Sequence, residues 1–243
     1  MALLRGLYQP NAKLAGLMIA APAARELGAQ HLTLVCPYLA YMRQDIAFRP
    51  GEAVSQRHVG RALALWFDTV ITVDPHLHRV ATLDEVVPGR RGIALSAAAT
   101  LGAWVAARLD NPLLIGPDEE SAQWVGVAAR TQGLDHAICR KLRHGDRDVD
   151  VALPDVNVAG REVVLLDDLA STGRTMIAAA LACLRQGARS VDAVVTHGLF
   201  IGDAIDELAA AGVRHVWSTD SVPHRSNAVP LAPLLAAALR DAG

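Results

Sequence analysis

Apolar residues along the chain fall into two alternating kinds of segment. Short runs rich in β-branched residues and leucine, such as "HLTLVC" (31–36) and "TVITV" (69–73), show little polar alternation. That pattern marks strands buried on both faces of a parallel sheet. By the same rule, strands are expected at 112–116, 136–141, 162–166, 191–196 and 213–218. Longer segments with helical spacing lie between them, at 11–27, 53–67, 96–109, 119–132, 174–186, 202–211 and 230–240. This alternation predicts an α/β fold, with parallel sheets flanked by helices. Each half carries a strand that ends in Asp and polar residues, "VITVDPH" (70–76) and "VVLLDDL" (163–169), a duplication in kind rather than in letter. The stretch "VVPGRRG" (86–92) is the expected boundary. It divides a first domain, 1–90 joined by the helix 230–243, from a second, 91–229.

The run "LAGLMIAAPAA" (14–24) follows Arg5 and Lys13 and has the look of a signal-peptide core. It is better read as a helix opening at Asn11 and closing near Gly28, because strand-helix rhythm continues directly after it. No apolar run is long enough for a membrane span. With 243 residues, 52 % of them hydrophobic, there is ample material for a buried core. A formal net charge of −2 gives no general pull toward nucleic acid or an anionic membrane. The three scattered cysteines, Cys36, Cys139 and Cys183, suit reduced thiols in a cytoplasmic protein rather than a disulfide frame or a zinc site.

The densest chemistry is "VVLLDDLASTGRT" (163–175). A buried strand stops at Asp167 and Asp168, and a loop of small and hydroxyl residues leads into a helix. The acids and the loop are expected in a strand-to-helix turn at the carboxyl edge of a sheet, where ligands bind in open α/β folds. A helix starting after Thr172 would aim its free amides and positive dipole end there, which suits a phosphate. A simple cap and turn would use similar residues. A Walker-type loop is a weak alternative, because no Lys is present and the glycine spacing is wrong.

Four further stretches carry polar groups past strand ends. In "PYLAYMRQD" (37–45), Arg43, Gln44 and Asp45 lie on a loop where a guanidinium can fork onto phosphate, or simply be solvated. "DPHLHR" (74–79) offers His76 and His78 to a metal or a phosphate, although two such histidines are often incidental. In "IGPDEES" (115–121), Asp118 can hold Mg²⁺ through water or cap a helix. The charge-dense "CRKLRHGDRDVDV" (139–151) is interrupted by Asp146, Asp148 and Asp150, which argues for a mobile active-site loop over a nucleic-acid patch. On an extended segment Lys141 and Arg143 would point the same way and could meet one polyphosphate.

The order of "PYLAYMRQD", "PGEAVSQRHV", "TVDPHLHR", "GPDEES", "KLRHGDRDVDV", "DDLASTGRTM", "THGLFIGDA" and "STDSVPH" resembles that of the ribose-phosphate diphosphokinases, the PRPP synthetases. The resemblance covers nearly the whole chain. It implies two tandem phosphoribosyltransferase-like domains, Mg²⁺ as cofactor, ATP and ribose 5-phosphate as substrates, and a homo-oligomer, dimer or higher. Carried over by motif, Arg43, Gln44 and His76 would contact ATP, and His76 and Asp118 would serve the metal. Lys141 and Arg143 would be the catalytic pair. Asp167, Asp168, Ser171, Thr172, Gly173 and Thr175 would form the ribose-5-phosphate site. The reaction implied is transfer of the diphosphoryl group of ATP to the anomeric hydroxyl, giving PRPP and AMP. Two departures stand out. Ile46 and Ala47 occupy positions that are usually basic in the family, and the opening "MALLRGLYQPNAKL" aligns with the family's first helix, so the first domain is expected to lack its earlier strands. A phosphoribosyltransferase that consumes PRPP, or a non-catalytic regulatory partner, remains an alternative.

Overall fold

A computed structural model describes the chain except for Phe48, His78, residues 145–147 and Gly243; nor are the side chains of 141–150 described. The described residues form two compact units, Met1–Leu95 with Leu231–Gly243, and Ser96–Pro230.

The first unit carries β1 (Ala2–Leu4), α1 (Pro10–Glu26), β2 (Thr33–Cys36), α2 (Ser55–Trp66), β3 (Thr69–Val73), α3 (Leu83–Val86) and β4 (Arg91–Leu95). Its sheet is entirely parallel, in the order β1-β2-β3-β4. Every residue of β2 and β3 is buried, as their uncharged, β-branched-rich runs predict. Strands β1 and β4 are edge strands with exposed or half-exposed residues, and pattern reading does not find them. β4 moves the boundary to after Leu95 rather than within 86–92, because it pairs along its length with β3. Gly92 allows the close packing there: a Cβ would lie 2.6 Å from the Leu83 carbonyl carbon.

The second unit contains α4 (Ala98–Ala106), β5 (Leu113–Gly116), a 3₁₀ turn (Glu119–Ser121), α5 (Ala122–Gln132), β6 (His136–Ile138), β7 (Arg140–His144) and β8 (Asp148–Ala152). It continues with β9 (Glu162–Ala170), α6 (Arg174–Arg185), β10 (Ser190–Gly198), α7 (Ala204–Ala210), β11 (Val213–Thr219) and β12 (Asn227–Val229). Six parallel strands form its sheet, in the order β12-β11-β10-β9-β5-β6. The core beneath is built from Val163 and Leu165 of β9, Ala193 and Val195 of β10, and Met176, Ala179 and Cys183 of α6. The last helix, α8 (Ala232–Asp241), returns to the first unit and packs on β3.

Two expectations take a more definite form. Within the segment 139–151, expected as a mobile active-site loop, β7 pairs antiparallel with β8. Its period-two alternation, Asp148-Val149-Asp150-Val151, is a strand signal masked by the density of charge. The strand expected at 162–166 runs on to Ala170, because β10 continues beside it as far as Gly198. Asp167 and Asp168 therefore belong to the strand end itself, and only the loop forms the turn.

Candidate active site

Chain direction across the second sheet picks out one crevice. From β5 the chain moves to β6 on one side, while from β9 it moves to β10 on the other. The carboxyl ends of β5 and β9 therefore flank the point where the connections diverge, the usual ligand crevice of an open α/β sheet. Asp118 follows the end of β5, and Asp167 and Asp168 close β9.

The three acids act on one another. Asp168 is 5 % exposed, and Asp167 is half-buried with its Oδ1 accepting the Asp168 amide at 2.9 Å. Burial, followed by the charges of Asp168 and then Asp118, pushes the Asp167 carboxyl well above the usual carboxylate range. A cation bound between these acids would relieve that cost. Asp118 also caps the 3₁₀ turn, accepting the Glu120 amide at 3.2 Å, so the capping reading of this residue holds as well. Among the described residues no group of three or more His, Cys, Asp or Glu side chains could hold a metal ion. A site of this kind fits a hard cation that takes one or two carboxylates and completes its shell from ligand phosphates and water.

Beside the acids, Ser171-Thr172-Gly173 leads into α6. Gly173 has φ 71°, the left-handed conformation that glycine adopts without penalty, and its carbonyl accepts the Ile177 amide at 2.8 Å. Gly173, the N-cap residue of α6, has no side chain with which to cap the first turn. The positive end of the helix opens past Ser171 and Thr175, both half-buried, and the exposed Thr172. The strand end thus places carboxylates for a cation next to amides and hydroxyls for an anion.

Lys141 and Arg143 occupy alternate positions of β7, opposite Val151 and Val149; their side chains lie outside the described residues. The hairpin begins where β6 ends, with the Cys139 amide bonded to the Gly116 carbonyl at 2.9 Å.

In the first unit, the stretches "PYLAYMRQD" and "DPHLHR" come together, because Arg79 pairs with Asp45 at 3.4 Å. This contact is not predicted by motif reading. Asp45 and Arg79 line a cavity of about 480 Å³ with Gln56, Arg57 and Arg61. Gln44 donates to the Ile46 carbonyl at 2.9 Å, Arg43 is exposed and His76 is half-buried past the end of β3. His78 lies outside the described residues. Sequence reading quotes "THGLF" and "STDSVPH" but assigns no role to His197, Phe200 or His224, which stand at the carboxyl ends of β10 and β11.

Comparison with known proteins defines first the class and then the family. Residues 93–237 match the phosphoribosyl transferase domain, and residues 3–65 match the N-terminal domain of ribose phosphate pyrophosphokinase. A ribose-phosphate pyrophosphokinase of Methanopyrus kandleri is 38 % identical over 227 residues, covering 92 % of this chain and 76 % of that protein. One from Halobacterium salinarum is 39 % identical over 220 residues, covering 89 % and 75 %. The chain belongs to the ribose-phosphate pyrophosphokinase family. Its fold is that of the phosphoribosylpyrophosphate synthetase from Mycobacterium smegmatis: TM-score 0.83 at 24 % identity, covering 99 % of this chain and 81 % of the other.

Proposed function

We propose that the chain transfers the diphosphoryl group of Mg-ATP to the anomeric hydroxyl of ribose 5-phosphate, giving PRPP and AMP. The observation that carries this reading is the pairing, at one crevice, of Asp167, raised by its acidic neighbours, with a helix end opened by Gly173. Such a crevice suits a sugar phosphate whose 5-phosphate meets the loop Ser171, Thr172, Gly173 and Thr175. The ribose hydroxyls then lie toward Asp167 and Asp168.

In this reading the anomeric oxygen attacks the β-phosphorus of ATP, the bond from that phosphorus to the α,β-bridging oxygen breaks, and AMP leaves. Bound Mg²⁺ supplies charge neutralisation on the phosphoryl oxygens. Asp118 is the residue that would hold it on the sugar side, and His76 on the nucleotide side. Arg43 and Gln44 orient the nucleotide, while Lys141 and Arg143 meet charge that develops on the transferring group. Phosphoryl transfer depends mainly on positioning and electrostatics, and none of these roles needs a covalent nucleophile.

The reading includes a homo-oligomer, supported by the exposed apolar residues of β1, α1 and the residue that ends α1: Leu4, Met18, Ile19 and Leu27. It includes a cytoplasmic setting, supported by three free, buried cysteines. The test is AMP formation from Mg-ATP and ribose 5-phosphate, run against PRPP consumption with a panel of bases. AMP release with equimolar PRPP supports the proposal. PRPP consumption alone would favour a phosphoribosyltransferase, and neither reaction would favour a regulatory partner.

A further inference from the structure

The loop that follows β9 is tied down at its root by the segment that follows β10. The amides of Leu199 and Phe200 both donate to the Ala170 carbonyl at 3.0 Å, and the Ile201 amide donates to the Ser171 carbonyl at 3.0 Å. Bringing three successive amides onto two adjacent carbonyls bends the chain sharply. Phe200 absorbs the bend with φ 36°, in the left-handed region that bulky side chains avoid. An aromatic residue at such a position needs a compensating reason.

Packing supplies one. The Phe200 ring is 6 % exposed and belongs to the core of the second unit. It lies 4.9 Å from the His224 ring, tilted by 40°. His224 is itself fixed: its Nδ1 is 2.8 Å from Ser226 Oγ, and its amide donates to Asn227 Oδ1 at 2.9 Å. On the other side, a Cβ at Gly198 would come within 2.7 Å of the Phe200 ring and 3.0 Å of Ser218. The ring therefore occupies space that only glycine at 198 leaves open, wedged between the end of β10 and the connection from β11 to β12.

We propose that Phe200, backed by His224, is a positioning residue that presets the 171–175 loop for a sugar phosphate. The proposal rests on the ribose-5-phosphate reading above. A loop held in its binding shape beforehand spares the ligand the cost of ordering it. Loss of the wedge leaves the loop residues intact but lets their amides drift, and small misplacements of this kind weaken binding steeply.

The test is steady-state kinetics and melting curves for Phe200→Ala, His224→Ala and His224→Phe. Phe200→Ala, folded at the assay temperature, should raise KM for ribose 5-phosphate about tenfold and leave KM for ATP within about twofold. His224→Ala, which removes a half-buried ring and spares the core, should move KM the same way by about threefold, and His224→Phe should restore it. Unchanged KM in folded Phe200→Ala, an equal rise for both substrates, or a His224→Phe variant as poor as His224→Ala would each overturn the proposal. A parent chain that itself neither binds ribose 5-phosphate nor releases AMP would instead overturn the functional reading on which it rests.

Discussion

At the amino end of the second sheet Asp192 is fully buried and paired with Arg214, whereas at the carboxyl end Asp167 is half-buried beside two further carboxylates. Asp192 receives both arms of the Arg214 guanidinium, at 3.0 and 2.6 Å, and the His215 amide at 3.1 Å. Arg214 reaches on to Glu162 at 3.2 Å, and Arg189 pairs with Glu162 at 3.4 Å. The hydrogen bonding that Arg214 donates to Asp192 is the chief reason the Arg214 pKa is driven up. The first unit repeats the pattern: Asp68 accepts the Leu32 amide at 2.8 Å and pairs with Arg25 and Arg90. Burial pushes the Asp68 carboxyl up, but the Leu32 amide and Arg25 outweigh it and hold it below the usual range. At the carboxyl end burial, followed by the charges of Asp168 and Asp118, raises the cost of ionising Asp167 instead. One set of acids is matched by cations of the chain itself and serves the fold. The other is assembled at a cost that a bound ligand can repay, the mark of a site.

The comparison breaks first where the charge is catalytic. Lys141→Ala with Arg143→Ala should lower kcat about a thousandfold while KM for either substrate changes far less, because these cations act on the transferring group. Equal losses in kcat and binding, measured by stopped-flow and calorimetry, would reduce them to binding residues. Asp167→Asn with Asp168→Asn should weaken ribose 5-phosphate binding about a hundredfold in the presence of Mg²⁺ without loss of melting temperature.

At the amino edge the expectation reverses. Arg214→Met leaves Asp192 buried beside a reduced set of partners and should cost about 3 kcal/mol in urea unfolding, with the folded fraction still active. The smallest effect sharpens the comparison most. Folding raises the Asp167 pKa, so the linked stability is present below the ordinary aspartate range and lost as pH rises through the folded-state value. Asparagine does not ionise. Asp167→Asn should therefore be more stable than the parent near pH 8 in urea unfolding, with the gap closing toward pH 4. A gap that widens toward acid would reverse the assignment.

Buried strands were the most legible part of the fold, because β2, β3 and β5 are short uncharged runs rich in β-branched residues and leucine. Edge strands β1, β4 and β12 were not, since an edge needs no continuous apolar face and each is five residues or shorter. The acid pair and loop of 167–175 could be read because strand, carboxylates, small residues and helix follow in one local order. Asp118 joins them only through the β5-β9 pairing, a long-range event. The Asp45–Arg79 pair and the Phe200–His224 stack are contacts between separate segments, and no local pattern announces them.

Calorimetric titration of ribose 5-phosphate with Mg²⁺ into the parent, the Asp167→Asn/Asp168→Asn variant and the Arg214→Met variant tests the division between the two edges most directly. The account predicts parent-like affinity for folded Arg214→Met and an affinity about a hundredfold weaker for the acid-pair variant. Parent-like affinity after removal of both carboxyl-edge charges, or a comparable loss on breaking the amino-edge pair, would contradict it.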